Sequence, residues 1–206
     1  MQYYSDANSG VFRMGDIVRG FVLGAARQKK PDQNPRDYQV SLCNPDFSVI
    51  LTPCCSIGDK TLALAPLLHV NPTWLENPYF KKDLTNINRE MQPEQAVSQK
   101  VWERLGDQER KQRLQSGKAN AFLEWFVYPP HQVIGKYKLK SQKEEIEMGY
   151  YAVDFRLTFR VECEAVANTK QVPIDAKVLE LSIEARNELR LKLSSYFGRV
   201  PNEDVI

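Results

Sequence analysis

The sequence predicts an α+β fold, in which a small β-barrel or roll carries an α-helical insertion and is followed by a C-terminal helix. Short apolar alternations bounded by turn signals fill residues 13–70, as in a small all-β unit. Apolar residues at helical spacing replace them over residues 71–126. Strands return over residues 127–206, which end in a capped helix. We therefore expect one domain over residues 1–206, built from these three parts.

The first part is predicted to contain four short strands. A turn at Gly15-Asp16 opens the first of them, and the others are expected at residues 38–42, 48–52 and 61–68. Residues 48–52 are mostly apolar and β-branched, which indicates a strand buried on both faces. Residues 24–37 are polar and basic, so we expect an exposed loop there.

The helical part is predicted to contain three helices. The first is indicated by helical spacing of apolar residues and ends at Gly106. Asp107 is expected to cap a second helix over residues 108–116, with Gly117 just beyond its end. A third, short helix would bring Phe122, Leu123 and Phe126 together.

The C-terminal helix has clear boundary signals. Ser182 is a favourable N-cap and Gly198 marks the end. The apolar positions on one face are Ala185, Leu189, Leu193 and Tyr196. Glu188 and Lys192 have the spacing of an ion pair on the exposed side of this helix.

Composition and charge bear on the expected partners of the protein and on its location in the cell. The 206 residues include 28 Lys and Arg against 26 Asp and Glu, and a net charge of +2 argues against a strongly cationic nucleic-acid binder. No signal peptide is expected at the first residues, and the longest apolar run is shorter than the roughly 20 residues of a membrane span. We therefore expect a cytoplasmic protein with no membrane partner and with reduced cysteines.

Three short motifs resemble the opening of MazF/PemK-type toxins. They are Gly15-Asp16-Ile17-Val18, Val49-Ile50-Leu51-Thr52-Pro53 and Leu62-Ala63-Leu64-Ala65-Pro66. The resemblance covers about 70 residues, and it implies an SH3-like barrel from a bacterial toxin–antitoxin or phage-defence context. Members of that family cut RNA.

The catalytic residues of that family are not matched. Asp46-Phe47 stand where the family carries its catalytic Arg, and Leu67-Leu68 stand where it carries a Thr. An acidic side chain cannot stabilise the charge that develops on phosphorus during cleavage. The sequence therefore favours a non-catalytic interaction module, an accessory protein of such a system that binds a protein or nucleic-acid partner. The binding residues would be the basic ones of the predicted loop: Arg27, Lys29, Lys30 and Arg36.

The alternative is a divergent MazF/PemK-like endoribonuclease that rebuilt its site from other residues. Arg19 or Arg36 would stabilise the phosphate, and Thr52 or His69 would act as acid, base or orienting group.

Cys54, Cys55 and His69 are the one other candidate group. They could form a nucleophilic or metal site, but a zinc site needs a fourth ligand at a recognisable spacing, and none is present. We therefore expect no metal and no cofactor, with one cysteine buried as a small apolar residue and the other in a loop. The expected partners are a protein, RNA or DNA, or a second copy of the chain.

Overall fold

The protein is described by a computed structural model covering residues 2–6, 9–28, 38–57, 61–141, 144–162 and 176–198. The chain forms two compact units. The β unit comprises Tyr4–Leu67 and Leu157–Ser182, and the α+β unit comprises Met1–Tyr3, Leu68–Arg156 and Ile183–Ile206. The predicted boundaries at 13–70, 71–126 and 127–206 stay a prediction.

The described residues contain antiparallel strands and α-helices, which confirms the α+β class. The strands are β1 (Ile17–Val18), β2 (Leu23–Gln28), β3 (Tyr38–Cys43), β4 (Ser48–Ile50), β5 (Thr61–Pro66), β6 (Leu68–His69), β7 (Glu90–Met91), β8 (Ala119–Asn120), β9 (Trp125–Tyr128), β10 (Tyr137–Lys140), β11 (Glu145–Met148), β12 (Tyr151–Asp154), β13 (Phe159–Glu162) and β14 (Lys177–Leu179). The helices are α1 (Pro78–Lys82), α2 (Gln99–Arg104), α3 (Asp107–Gln115) and α4 (Ile183–Gly198). None of the helices in the described ranges combines the length and apolar character needed to cross a bilayer.

The β unit is built on a five-stranded antiparallel sheet in the order β13-β5-β4-β1-β14. All three residues of β4 are buried, as predicted for a strand covered on both faces. The core beneath the sheet contains Phe12, Val18, Leu23, Ile50, Leu62 and Leu64. Strands β2 and β3 form a separate two-stranded ribbon, in which β2 lies beside β13.

A buried network of charged side chains connects the first residues of the β unit to strand β14. The Lys177 ammonium donates to Asp16 Oδ2 at 2.8 Å, to Glu180 Oε2 at 2.6 Å and to the Val11 carbonyl at 2.8 Å. Ser9 adds hydrogen bonds from its N–H and hydroxyl to Glu180 Oε2. The network therefore ties β14 to residues that precede β1.

Burial acts on both carboxyl groups of this network, but with different net results. Burial raises the pKa of Asp16 to about 6, although Lys177 and the Arg13 N–H oppose it. Burial also acts to raise the pKa of Glu180, but hydrogen bonds from Lys177 and Ser9 outweigh it and lower this pKa to about 2. Asp16 Oδ1 is buried and has no hydrogen-bond partner among the described residues.

The α+β unit has its own core beneath β6-β12-β9, a three-stranded antiparallel sheet. Asn88 joins one edge of this sheet, because its side chain accepts from the Val127 N–H and donates to the Val127 carbonyl, both at 2.7 Å. The same amide group donates to the Tyr3 hydroxyl. Helix α4 packs with Ala185, Leu189 and Leu193 buried, as its apolar spacing predicts.

Two predictions about strands need correction. Residues 24–28 were expected in a loop, yet they continue β2, because the small residues Gly24, Ala25 and Ala26 pair in register with β3. The apolar and β-branched residues of 150–161 predict one long strand, but the strand is interrupted after Asp154. There the Asp154 carboxylate accepts from the Arg156 N–H and guanidinium, which stabilises a turn instead of a continuous strand.

Two predictions about helices also need correction. The third short helix near Phe122 is wrong: Phe122 has φ +42°, and Trp125 begins strand β9, which pairs with β12. The ion pair expected between Glu188 and Lys192 is replaced by burial of Lys192, whose ammonium donates to the Ile87 and Ala121 carbonyls. The second helix is confirmed at Asp107–Gln115, with Gly117 at φ +82° beyond its end, but its N-cap is Gly106 and the expected N-cap Asp107 is its first helical residue.

Candidate nucleic-acid interface

An open pocket lies on the β unit where β13 pairs with β5. Its volume is about 450 Å³, within the usual range of about 300–1,000 Å³ for ligand sites. The lining residues are Leu51, Thr52, Pro53, Ser56, Thr61, Ala63, Thr158, Phe159 and Arg160. Four of these carry hydroxyl groups and one carries a permanent positive charge.

The side-chain alternation of β13 explains how Arg160 reaches the pocket. Phe159 and Val161 pack against the core of the β unit, so Arg160 between them lies on the other face. Arg160 is opposite Ala63 on β5, whose methyl group leaves room for the guanidinium. The guanidinium is exposed and has no hydrogen bond or ion pair with a residue that the structure describes.

Thr52 forms part of the pocket wall and also completes the β4–β5 ladder. The Leu51 N–H donates to the Ala63 carbonyl at 2.8 Å, and the Ala63 N–H donates to Thr52 Oγ1 at 2.6 Å. The hydroxyl thus replaces a backbone acceptor at the point where Pro53 ends the strand. Thr52 is buried, so its first role is to fix the shape of the pocket.

We expect Thr52→Val to destabilise the β unit by about 1–3 kcal/mol, because the Ala63 N–H would be left buried without an acceptor. Thr52→Ser keeps the hydroxyl and is expected to remain close to the wild type. Urea denaturation of both variants measures the difference. Equal stability of the valine variant and the wild type would contradict the proposed ladder contact.

The lining of the pocket contains no general acid or base. Among the described lining residues there is no His, Cys, Asp, Glu or Lys, and Arg160 is the single ionisable side chain. A guanidinium stays protonated at any physiological pH, so it binds and orients anions without accepting protons. The described lining can therefore hold a phosphate or carboxylate group at Arg160 beside apolar surface.

The residues predicted to be catalytic belong to different units of the chain. Thr52 lines the pocket, whereas His69 lies in the α+β unit, where its ring stacks on Tyr137 with 3.7 Å between ring centroids. Arg19 is exposed after β1 and is not among the residues that line the pocket. Arg36 lies outside the described residues.

The predicted binding residues are described only in part. Arg27 is exposed on β2, and β2 as a strand contacts β13. Lys29 and Lys30, like Arg36, lie outside the described residues. Arg27 is therefore the one predicted binding residue that falls within the described residues.

Of the two adjacent cysteine candidates, the structure describes the side chain of Cys54. Cys54 is exposed in a 3₁₀ turn, and its sulfur accepts from the Met14 N–H at 3.4 Å. Cys55 follows it in the same turn, while His69 belongs to the α+β unit. Within the described ranges, no group of three or more His, Cys, Asp or Glu residues is arranged to hold a metal ion.

Sequence reasoning did not select Arg160. The residue lies in a strand that could be recognised, and alternation could have placed it on the face opposite Phe159 and Val161. What the sequence does not contain is the pairing of β13 with β5, which joins segments about 100 residues apart. Only that pairing brings Arg160 to Thr52.

Comparisons of the chain with protein-family models, with curated proteins and with solved structures gave no match. The resemblance to MazF/PemK-type toxins thus stays a prediction. The Gly15-Asp16 pair on which it partly rests has a structural role here, since Gly15 turns the chain at φ +88° and Asp16 binds Lys177 inside the β unit.

Proposed function

We propose that the protein is a non-catalytic interaction module, whose β unit is an SH3-like small barrel or roll that binds single-stranded nucleic acid. The observation that carries this proposal is the pocket at Arg160, whose described lining combines a guanidinium with four hydroxyl groups and includes no His, Cys, Asp, Glu or Lys. Arginine and hydroxyl side chains are the usual partners of phosphate oxygens in nucleic-acid complexes. We infer a cytoplasmic accessory protein of a bacterial toxin–antitoxin or phage-defence system as its setting.

The surroundings of the pocket support a strand of nucleic acid over an isolated anion. Pro53 and Ala63 give the pocket apolar surface beside Arg160, against which a base can rest while Arg160 binds the phosphate. The overall charge of +2 is small, so we expect modest affinity and a shallow salt dependence.

A divergent endoribonuclease is the second candidate, and one observation favours it. Thr52, a candidate from the sequence, lines the same pocket as Arg160, which the sequence did not single out. Cleavage of RNA also needs a group that accepts a proton from the attacking hydroxyl. Because the described lining offers none, we rank cleavage below binding.

The test is titration of labelled single-stranded RNA and DNA with the full chain over a series of salt concentrations. We expect Arg160→Ala to weaken binding by about 10- to 100-fold, since one charge-assisted phosphate contact is lost, and to reduce the salt slope by about one. Arg104→Ala is the matched control, because it removes the same charge from an exposed position on α2.

The outcomes separate the two candidates. Salt-sensitive binding of intact RNA that depends on Arg160 supports the interaction module. Cleavage that is lost in Arg160→Ala would replace it by the endoribonuclease. Equal effects of the two alanine variants, or no binding at low salt, would contradict a nucleic-acid site at this pocket.

A further inference from the structure

The outer strand of the β2–β3 ribbon has an open edge. All six residues of β3 are exposed, and β3 pairs with β2 from Leu23↔Cys43 to Gln28↔Tyr38. Because β2 lies beside β13, β3 is the outer strand of the ribbon. No other strand in the described part of the chain pairs with β3.

This edge lacks the features that usually prevent strands from pairing between molecules. Native edge strands are commonly protected by charged side chains, proline or bulges. Strand β3 reads Tyr-Gln-Val-Ser-Leu-Cys, with no charge, proline or glycine, and its register with β2 is continuous over six residue pairs. A regular strand of this kind presents an unused row of N–H and C=O groups.

One face of the same strand is apolar. Tyr38, Val40 and Leu42 alternate along it and are 57%, 68% and 74% exposed. Across the ribbon they stand opposite Gln28, Ala26 and Gly24, and the two small residues cannot cover them. These three side chains expose on the order of 400 Å² of surface, which is comparable to the largest apolar patch on a typical monomer.

We propose that β3 pairs antiparallel with β3 of a second copy of this chain, which makes the two ribbons one four-stranded sheet. A two-fold axis perpendicular to the sheet at Val40 brings the Val40 residues of both copies together and pairs each Tyr38 with the other copy's Leu42. The apolar stripes then form one continuous surface, and cross-strand pairs of aromatic and aliphatic side chains stabilise the sheet.

A second copy fits this edge for a reason of charge, because a strand without charged side chains meets itself without electrostatic repulsion. Edge pairing leaves most of the two stripes on the face of the joined sheet and buries only their flanks, so main-chain hydrogen bonds hold the contact and its area is below that of standard specific interfaces. The dimer is therefore weak and forms in a concentration-dependent way.

Sedimentation of the full chain over a range of micromolar concentrations tests the proposal. The wild-type chain is expected to shift from monomer to dimer as its concentration rises. Val40→Lys introduces a charge at the two-fold axis and is expected to remain monomeric. Leu191→Lys is the matched control, because Leu191 on α4 is also 68% exposed but lies in the α+β unit, and this variant is expected to dimerise like the wild type.

A cysteine at position 40 tests the register. Directly opposite residues in an antiparallel pair have Cα atoms about 4.5–5.5 Å apart, which suits a disulfide. In a Cys43→Ser background, Val40→Cys is expected to form a covalent dimer under mild oxidation, beyond any formed by Cys43→Ser alone. A wild-type chain that stays monomeric, a dimer that persists in Val40→Lys, or no added cross-linking in Val40→Cys would each overturn the proposal.

Discussion

Replacing Lys177 by methionine is expected to lower the free energy of unfolding of the β unit by about 3–5 kcal/mol. The ammonium is buried and is the shared partner of Asp16 and Glu180, at 2.8 Å and 2.6 Å. Methionine fills a similar volume but neutralises neither carboxylate. The variant therefore leaves two buried charges without a compensating cation, which costs more than the ion pairs contribute when complete.

The loss of stability in Lys177→Met is expected to depend on pH. Burial already raises the pKa of Asp16 to about 6, and the loss of the ammonium removes the charge that opposes burial. Asp16 in the variant is then expected to take up a proton at still higher pH. The difference in stability between wild type and Lys177→Met should accordingly shrink as the pH is lowered below neutrality.

Arg13→Ala is the matched control for the charge change. Arg13 also contacts Glu180, at 3.4 Å, but its side chain is 41% exposed, so its removal is expected to cost less than about 1 kcal/mol. Hydrogen exchange of peptides from β1, β4 and β5, followed by mass spectrometry, reports on the β unit directly. Similar protection in Lys177→Met and Arg13→Ala would contradict a central role for Lys177.

Local signals in the sequence were enough to predict several elements. Helix α4 carries its apolar face in its own residues, and α3 ends at Gln115, two residues before Gly117 turns the chain to positive φ. Strand β4 was recognised because burial on both faces requires an apolar run. In each case the physical cause lies within about 15 residues of chain.

The parts that could not be predicted depend on contacts between distant segments. The pocket needs β13 beside β5, and the charge network needs β14 beside β1, with more than 150 residues between Asp16 and Lys177. The burial of two lysines also depends on distant contacts and could not be predicted, because Lys177 and Lys192 both resemble surface residues in the sequence. Only the fold shows that one is buried against carboxylates and the other against carbonyl groups.

The stability of the α+β unit is expected to rise with pH between about 7 and 9.5 because of Lys192. Burial lowers the pKa of this lysine to about 7, and the nearby carboxylates of Glu124 and Glu188 offset that effect only in part. A neutral amine still has two N–H groups, one for the Ile87 carbonyl and one for the Ala121 carbonyl. The folded state therefore keeps these hydrogen bonds without burying a charge.

Stability rises with pH because the pKa of Lys192 is lower in the folded state than in the unfolded state. The unfolded state holds its proton up to a pKa of 10.5, whereas the folded state loses it near 7. Between these values the unfolded state binds more protons, so the free energy of unfolding rises by up to about 1.4 kcal/mol per pH unit. Below pH 7 both states are charged, and the full cost of burying the ammonium lowers stability. Burial also raises the pKa of Tyr3, and tyrosines ionise in the unfolded chain near pH 10, so the range stops at about 9.5.

Lys192→Met is expected to abolish this slope, because it removes the group that takes up the proton on unfolding. Lys111→Met, at an exposed position on α3, keeps the slope and controls for the loss of a lysine. All three tryptophans, Trp74, Trp102 and Trp125, lie in the α+β unit, so their fluorescence during urea denaturation follows that unit. An unchanged slope in Lys192→Met would assign the pH dependence to other groups. Loss of the slope would show that this helix holds a buried lysine neutral, where its sequence pattern indicated a surface ion pair with Glu188.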